Sequence, residues 1–301
     1  MTLLFFVKKS DRGEIRMKRA MMILLIILSF TVLVGCQNAS GIQVDQDNYN
    51  YILDQQEIVV GLECQYAPFN WTVEESNASV IAVQIDGSQN YCDGYDVQVA
   101  LAIASELNVN LVLKAIEWDG LIASLADSGQ IDLIIAGMSP TSDRAQTVSF
   151  TNEYYHSTHV VVLRSDSIYN TATSIDDFED ATIVGQLSTI YDSLIDQMTN
   201  AVHENPLTDV PTIITAIKTG TIDATILELP VAIAVCEANS DLMYIEFTSD
   251  NGFDVSYEDS AVAIALRQGD VLLLERINEI LASISIEQRE VWMIAAIDRQ
   301  P

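Results

Sequence analysis

The sequence predicts an α/β fold in two lobes, each a mostly parallel sheet flanked by helices. Strand-like and helix-like patterns alternate from residue 57 to residue 135, and strands that are separated by helices pair in parallel through right-handed crossovers. The second observation is an internal repeat. Residues 121–135 and 212–227 each contain a short helical pattern, a glycine, an Ile-Asp pair and a buried strand. The repeat indicates one such unit in each lobe.

The individual elements follow from hydrophobic spacing. Short β-favouring runs between Gly, Pro and Asn predict strands, and apolar residues three or four apart predict helices. Asp96 is the expected N-cap of the first helix and Asn108 its end. In chain order the first lobe should contain a strand at 58–62, a helix at 96–108, a strand at 111–113, a helix at 120–128, a strand at 131–135 and, after the second lobe, a strand at 261–266 and a helix at 271–284.

Charge limits the classes of partner. Of 301 residues, 43 are acidic and 14 are Lys or Arg, which gives a net charge of −29 at pH 7. Nucleic-acid phosphates attract Lys and Arg, so we expect no nucleic-acid partner. An acidic surface is also repelled by anionic lipids, so any attachment to a membrane must come from something other than surface charge.

The N-terminal segment provides such an attachment. Lys18 and Arg19 precede an apolar run that ends in Leu-Val-Gly-Cys36, the arrangement of an export signal. Small residues before this Cys resemble a bacterial lipobox, so residues 1–35 are predicted to be a signal peptide and Cys36 the lipidated residue. Met17 is the better start codon, in which case residues 1–16 are not translated. The alternative is an uncleaved transmembrane helix with an incidental Cys.

The polar residues 36–56 are predicted to form a flexible tether, with the fold starting at Glu57. Cys64 and Cys92 bracket an insertion rich in Asn and Ser. Outside the cytoplasm such a pair can form a disulfide, and the sequence leaves the bonded and the free forms equally open. Cys236 lies in an apolar helical stretch and is expected to be a buried thiol.

Residues at the ends of the predicted strands are candidates for a binding site. The strand at 131–135 leads into Gly137, Met138 and Ser139, and Arg144 follows with a planar guanidinium suited to a carboxylate. In the second lobe, Thr189 opens a helix whose N-terminus suits an anion, although a plain N-cap is an equal interpretation. Glu228 follows a buried strand there and could instead be a solvated acid. These positions indicate a clamp for a small carboxylate.

Several segments together resemble the polar amino-acid-binding branch of the extracytoplasmic solute-binding proteins of ABC importers. The resemblance runs from Glu57 to about Ile284 and agrees in order and spacing. The residues that carry it are Tyr66-Ala-Pro-Phe69, Gly94-Tyr-Asp-Val97, Trp118-Asp-Gly-Leu-Ile122, Ile131-Asp132, Gly137-Met-Ser-Pro-Thr141, Arg144, Phe150 and Tyr154-Tyr155.

This resemblance implies a type II periplasmic-binding-protein-like fold, with residues 57–155 and 256–301 in the first lobe and 156–255 in the second. Two chain crossings, near 155–159 and 247–260, would form the hinge. It also implies that the protein closes on one free L-amino acid and delivers it to the membrane subunits of an ABC permease. We expect a monomer that is anchored through Cys36 to the outer face of the cytoplasmic membrane.

The resemblance further assigns roles to the candidate residues. Arg144 would bind the α-carboxylate, assisted by Ser139 and by the loop of Ser188 and Thr189. Glu228 would bind the α-ammonium, with the backbone carbonyl of Gly137 as a second acceptor. Tyr66 and Trp118 would hold the ligand side chain and Glu63 would reach its far end. Many relatives have Gly where Ser188 stands, so the carboxylate loop is expected to differ there.

A carboxylate at Glu63 together with aromatic faces favours arginine or lysine as the ligand, while glutamine and histidine would also fit. Each residue has a plainer interpretation as well: Arg144 could pair with Asp143 or Asp132, and Tyr66 and Trp118 could be core aromatics. An enzyme of the cyclohexadienyl dehydratase type is the alternative function, but Glu228 has no second catalytic partner in the sequence. We expect no cofactor and no metal site, because a strand directs His156 and His159 to opposite faces.

Overall fold

A computed structural model describes residues 48–248 and 250–300. The predicted signal peptide, its lipobox Cys36 and the start of the tether lie outside these residues. In chain order the strands are β1 (Glu57–Leu62), β2 (Gln65–Tyr66), β3 (Asn70–Val73), β4 (Val83–Gln84), β5 (Tyr91–Asp93), β6 (Asn110–Ala115), β7 (Leu133–Ile134), β8 (Val148–His156), β9 (His159–Arg164), β10 (Thr182–Ile183), β11 (Val202–His203), β12 (Ala224–Glu228), β13 (Leu242–Ile245) and β14 (Ala261–Arg267).

The α-helices of the same residues are α1 (Asn48–Gln55), α2 (Tyr95–Leu107), α3 (Leu121–Ala126), α4 (Ile190–Leu194), α5 (Val210–Lys218), α6 (Leu229–Ala238), α7 (Tyr257–Ser260), α8 (Val271–Ser283) and α9 (Ile286–Arg299). Within the described part of the chain, none of them combines the length and the apolar character that crossing a bilayer requires.

The predicted tether is wrong over its last residues, because α1 is part of the fold. Ile52 is fully buried in the core of the first lobe. Asn48 fixes the start of the helix: its side-chain amide donates to Asp132 at 2.7 Å and its backbone N–H donates to Asp270 at 3.1 Å. The isolated Ile52 in a polar segment was too weak a pattern to predict a helix.

The first lobe is built on a five-stranded sheet in the order β6-β1-β7-β14-β8. β1 pairs in parallel with β6 and β7, which confirms the predicted parallel βαβαβ core. β14 pairs antiparallel with both β7 and β8, so the sheet is mixed rather than mostly parallel. The difference arises because the strand that returns from the second lobe runs opposite to the strands of the N-terminal core.

A small antiparallel sheet, β2-β3-β5-β4, covers the region between β1 and α2. Gly94 links it to the helix at a φ of 138°, and a Cβ there would lie 2.1 Å from the carbonyl oxygen of Phe69. Only glycine fits this approach. Asp96, the predicted N-cap of α2, instead lies inside the helix and is fully buried, whereas Asn108 ends the helix in the left-handed conformation as predicted.

The second lobe contains a sheet in the order β11-β10-β12-β9-β13. Its β10, β11 and β12 pair in parallel, and β9 joins antiparallel to β12 and β13. The chain enters this lobe between β8 and β9 and leaves it after β13. The two crossings touch, since the backbone N–H of Ser157 donates to the carbonyl of Ser260 at 3.1 Å. The molecule is therefore a two-lobed α/β protein with paired connections between the lobes.

Candidate functional site

A narrow cavity lies between the lobes, where the segments after β1 and β7 face the N-terminal end of α4. Both lobes contribute to its walls. The lining residues are Glu63, Tyr66, Trp118, Gly137, Ser139, Arg144, Gln186, Thr189, Ile190 and Tyr191. Seven of these are predicted site residues, so separate segments of the chain meet at one place.

Arg144 forms the cationic wall of the cavity. Its Nη1 donates to the carbonyl oxygen of Ser139 at 2.8 Å, and its Nη2 donates across the cleft to the carbonyl oxygen of Ser188 at 3.0 Å. The guanidinium carbon lies 5.1 Å from the centre of the Trp118 ring, a cation–π distance. Burial lowers the pKa of Arg144, but a guanidinium stays charged at any physiological pH. This group presents a fixed positive charge to the cavity.

Glu228 forms the anionic counterpart in the second lobe. It ends β12 and is 2% exposed. The hydroxyl of Tyr66 donates to its Oε2 at 3.0 Å from the first lobe, and the hydroxyl of Tyr191 donates to its Oε1 at 2.5 Å. Burial raises the pKa of Glu228 to about 7, while the two tyrosine hydrogen bonds oppose that rise. The carboxyl is thus held in place from both lobes.

A second buried carboxyl, that of Glu63, occupies another part of the wall. Gln186 of the second lobe donates to its Oε1 at 3.3 Å. Burial raises the pKa of Glu63 to about 7, and the negative charges of Asp209 and Glu117 add to the rise. The negative charges of the two neighbouring acids favour a cation beside Glu63.

A buried hydrogen-bond network holds the first-lobe loops in place. Asp96 accepts from the hydroxyl of Tyr154 at 2.6 Å and from the amide of Asn70 at 2.8 Å. Asn70 in turn accepts from the backbone N–H of Cys64 at 2.7 Å, and Tyr154 accepts from the backbone N–H of Gly137 at 3.2 Å. The network connects the loop after β1 to the loop after β7, which are the two segments that carry Glu63 and Ser139.

Gly137 is required where the Tyr66 ring closes over the loop. Its φ is 63°, a left-handed conformation that favours glycine, and a Cβ would lie 3.0 Å from the Tyr66 ring. Tyr66 is stacked on Phe69, with ring centroids 5.6 Å apart and planes 9° apart. These contacts direct the Tyr66 hydroxyl toward Glu228.

The profile of the bacterial extracellular solute-binding proteins, family 3, matches residues 58–289. The chain belongs to this family. Among its relatives, the L-cystine-binding protein TcyJ of Escherichia coli (strain K12) is 26% identical over 240 residues, 80% of this chain and 82% of TcyJ. The arginine-binding extracellular protein ArtP of Bacillus subtilis (strain 168) is 27% identical over 235 residues, 75% of this chain and 80% of ArtP.

A solved structure of similar shape is AbpA, an amino acid ABC transporter substrate-binding protein from Streptococcus pneumoniae Canada MDR_19A, bound to L-arginine. It superimposes with a TM-score of 0.69 and 25% identity, over 83% of this chain and 98% of AbpA. The two-lobed fold implied by the sequence is confirmed by this likeness.

In this solute-binding protein, three predicted site residues lie elsewhere than the cavity wall. Met138 is 1% exposed and packs in the core of the first lobe. Ser188 takes part through its carbonyl, which also accepts from Nε1 of Trp118 at 3.3 Å. Glu228 lies behind the wall and reaches the cavity through the hydroxyls of Tyr66 and Tyr191.

Three lining residues were absent from the sequence prediction: Gln186, Ile190 and Tyr191. Gln186 stands in the segment that was singled out before Thr189, and its polarity beside a buried strand was an available signal. The two others open α4 and have the apolar character of ordinary core residues. Thr189 itself donates its hydroxyl to the carbonyl of Gln186 at 2.7 Å.

The sequence left open whether Cys64 and Cys92 are bonded. Cys64 and Cys92 are both buried and both free, and Cys236 is free and half-buried. The thiols of Cys64 and Cys92 nevertheless interact: burial raises the pKa of Cys92, and the contact with Cys64 raises it further.

Proposed function

We propose that this solute-binding protein takes up a free basic amino acid, L-arginine or L-lysine, between its lobes and delivers it to an ABC permease. The observation that carries the proposal is the distribution of charge around one cavity. The first lobe supplies a cation at Arg144 and a buried acid at Glu63 in the cavity wall. The second lobe supplies a buried acid at Glu228, directly behind the lining residues Tyr66 and Tyr191. An amino acid with a cationic side chain carries the complementary set of three charges.

The α-carboxylate of the ligand would bind Arg144. The guanidinium now donates to two backbone carbonyls, those of Ser139 and Ser188. A carboxylate is a stronger acceptor than a carbonyl and matches the planar guanidinium with two parallel hydrogen bonds. It would therefore replace one or both of these contacts. The backbone N–H of Thr189, which now donates to the carbonyl of Gln186 at 3.3 Å, would be a further donor from the second lobe.

The α-ammonium would bind Glu228. Taking an ammonium out of water costs several kcal/mol unless it finds a paired and hydrogen-bonded partner. Tyr66 and Tyr191 stabilise the carboxylate form of Glu228 and keep it oriented toward the cavity. The lone pairs that the tyrosines leave unused would accept the ammonium protons, with the carbonyl of Gly137 as an additional acceptor.

The ligand side chain would point toward Glu63. The negative charges of Asp209 and Glu117 nearby disfavour a ligand carboxylate there and favour a guanidinium or an ammonium group. One face of Trp118 is covered by Arg144, so Trp118 fixes the carboxylate-binding cation as well as shaping the pocket. Glutamine or histidine would satisfy Gln186 and Glu63 less completely, because a neutral side chain leaves the acids without a counter-charge.

A ligand bound in this way joins the two lobes and so favours their closed arrangement, since it binds that arrangement better than an open one. The paired crossings near Ser157 and Ser260 would act as the hinge, between a first lobe of residues 57–155 and 256–301 and a second lobe of 156–255. We further propose that the protein is exported, anchored through a lipid on Cys36 and active as a monomer. Family membership and the relatives' names support export and the permease partner.

We propose binding rather than catalysis. A dehydratase needs an acid or base that is free to exchange a proton with a leaving group. Both oxygens of Glu228 already accept hydrogen bonds from tyrosines, which favours a fixed electrostatic role. Turnover of a cyclic hydroxy acid by the purified protein would contradict this choice.

The proposed function can be tested by a thermal-shift screen of the lipid-free exported protein against the twenty amino acids. A ligand that binds only the folded form raises the melting temperature, and at equal concentration the tighter ligand raises it more. We expect arginine or lysine to give the largest shift, and Glu63→Gln to reduce that shift more than it reduces the shift caused by glutamine. A larger shift with glutamate or cystine would overturn the basic-ligand assignment, and no shift with any amino acid would overturn the function.

A further inference from the structure

Cys64 and Cys92 stand at a position that ligand binding does not explain. Cys64 directly follows the site residue Glu63 and is 2% exposed, while Cys92 lies in β5 and is 0% exposed. Both are attached to Thr72 of β3, whose hydroxyl donates to the Cys64 carbonyl and whose backbone pairs with Cys92. We propose that these two cysteines are joined by a disulfide in the exported protein and that this bond fixes the loop carrying Glu63.

The backbone around Cys64 is already arranged for such a bond. Its φ is 56°, a left-handed conformation that a non-glycine residue adopts only when its surroundings hold it there. Its N–H donates to the side chain of Asn70, and its carbonyl accepts from the hydroxyl of Thr72 at 2.9 Å. Both backbone groups are thus attached to β3.

β3 in turn places Cys92 beside Cys64. In the antiparallel pairing of β3 with β5, Thr72 stands directly opposite Cys92. The residue that holds the Cys64 carbonyl is therefore the cross-strand partner of Cys92, which brings the two cysteines within reach of each other. Two cysteines can be bridged without backbone movement only when their Cα atoms are about 7 Å apart or closer.

Conditions outside the cytoplasm allow this disulfide to form. Disulfides persist in extracytoplasmic proteins, and the chain belongs to an extracellular family. A bond forms between the two Sγ atoms as the thiols lose two protons and two electrons. The disulfide of an extracytoplasmic thiol–disulfide oxidoreductase takes up both, and is reduced to its dithiol. Because both thiols are buried in the folded protein, we expect the bond to form while the chain folds after export.

Mass spectrometry of the full chain, expressed in a bacterial host that exports it, tests the proposal without any ligand. The protein is denatured and alkylated with iodoacetamide in the absence of reductant, then digested. We expect a peptide pair linked through Cys64 and Cys92, together with alkylated Cys236. Alkylation of both Cys64 and Cys92, or a bond from either one to Cys236, would overturn the proposal.

Thermal unfolding supplies a second and independent measurement. The bond closes the loop from residue 64 to residue 92, so a phosphine reductant should lower the melting temperature of the wild type by on the order of 10 °C. The matched control Cys236→Ser should respond in the same way, and Cys64→Ser combined with Cys92→Ser should not respond. A wild type whose melting temperature is unchanged after verified reduction would show that no such bond stabilises the loop. Neither readout depends on which amino acid the cavity binds.

Discussion

The hydroxyl of Tyr66, in the first lobe, donates to Oε2 of Glu228, in the second lobe, at 3.0 Å. Tyr191 donates to the other oxygen of the same carboxyl from its own lobe. Arg144 makes a second connection in the same direction, donating from the first lobe to the carbonyl oxygen of Ser188 in the second lobe. Both charged groups of the proposed site therefore already make contacts across the cleft, where a ligand that joins the lobes would bind.

The first prediction concerns Arg144. Arg144→Ala should weaken amino-acid binding by on the order of 2–5 kcal/mol, because the α-carboxylate would be left in the cavity without its partner. That is about 30-fold to several thousand-fold in Kd. The melting temperature of the unliganded protein should change little, since Trp118 still donates to the Ser188 carbonyl. Calorimetry and thermal unfolding measure the two effects.

The matched control for that variant is Arg164→Ala. Arg164 forms an exposed ion pair with Asp166 at 2.8 Å and lies outside the cavity wall. Exposed pairs of this kind contribute little to stability because water and salt screen them, and we expect ligand affinity to be unchanged. If Arg144→Ala bound arginine as well as Arg164→Ala does, Arg144 would not be the carboxylate-binding residue.

The second prediction concerns pH. The pKa values of Glu63 and Glu228 are both raised to about 7, so a growing fraction of each is neutral below that pH. A cationic ligand needs both as carboxylates. We therefore expect arginine affinity to fall from pH 8 to pH 5, by up to about tenfold per pH unit for each of the two groups. Calorimetric titrations at four pH values measure the slope.

Stability of the unliganded protein should change in the opposite direction. A carboxyl whose pKa is raised by folding holds its proton more tightly in the folded state, so its stabilising effect is present at low pH and is lost as the pH rises through about 7. The protein should thus be more stable to denaturant at pH 5 than at pH 8, and Glu63→Gln should reduce that difference. A variant with the full wild-type difference would contradict the raised pKa of Glu63.

The third prediction concerns the network beneath the loops. Asp96→Asn replaces a carboxyl that accepts two hydrogen bonds with an amide whose NH₂ group would face one of the two donors, Tyr154 or Asn70. We expect a loss of about 1–3 kcal/mol in the free energy of unfolding, measured by denaturant titration. Asp127→Asn, at an exposed position, is the control and should change stability by about 0.5 kcal/mol or less. Equal stability of the two variants would show that the network is not structurally important.

Asp96 also shows why the sequence predicted the fold better than it predicted the detail. An acid just before an apolar helical pattern is typical of an N-cap. The same local sequence is also compatible with a buried carboxylate, which is what Asp96 becomes because Asn70 and Tyr154 donate to it. Those two residues lie far from Asp96 in sequence, so local spacing could not distinguish the two roles. The parallel strands, by contrast, follow from local alternation and were predicted.

The site residues also include some that the sequence could predict and some that it could not. Glu63 directly follows β1, and Arg144 lies in the segment after β7. The ends of parallel strands meet at one edge, so both positions could be inferred. Ser188 contributes a backbone carbonyl and holds a φ of 61°, and neither property is encoded in the type of side chain. Tyr191 has the spacing of a core aromatic, and only the folded chain shows its hydroxyl on Glu228.

The central claim is that the α-carboxylate and the α-ammonium of the ligand are both bound. Calorimetry of the wild type with three compounds tests it most directly. L-arginine carries both charged groups, agmatine lacks the α-carboxylate, and 5-guanidinopentanoic acid lacks the α-ammonium. We expect L-arginine to bind the wild type at least tenfold more tightly than either analogue. Arg144→Ala should reduce the difference in affinity between L-arginine and agmatine. Glu228→Gln should reduce the difference in affinity between L-arginine and 5-guanidinopentanoic acid. Equal affinity of the wild type for L-arginine and either analogue would show that the protein does not bind both the α-carboxylate and the α-ammonium.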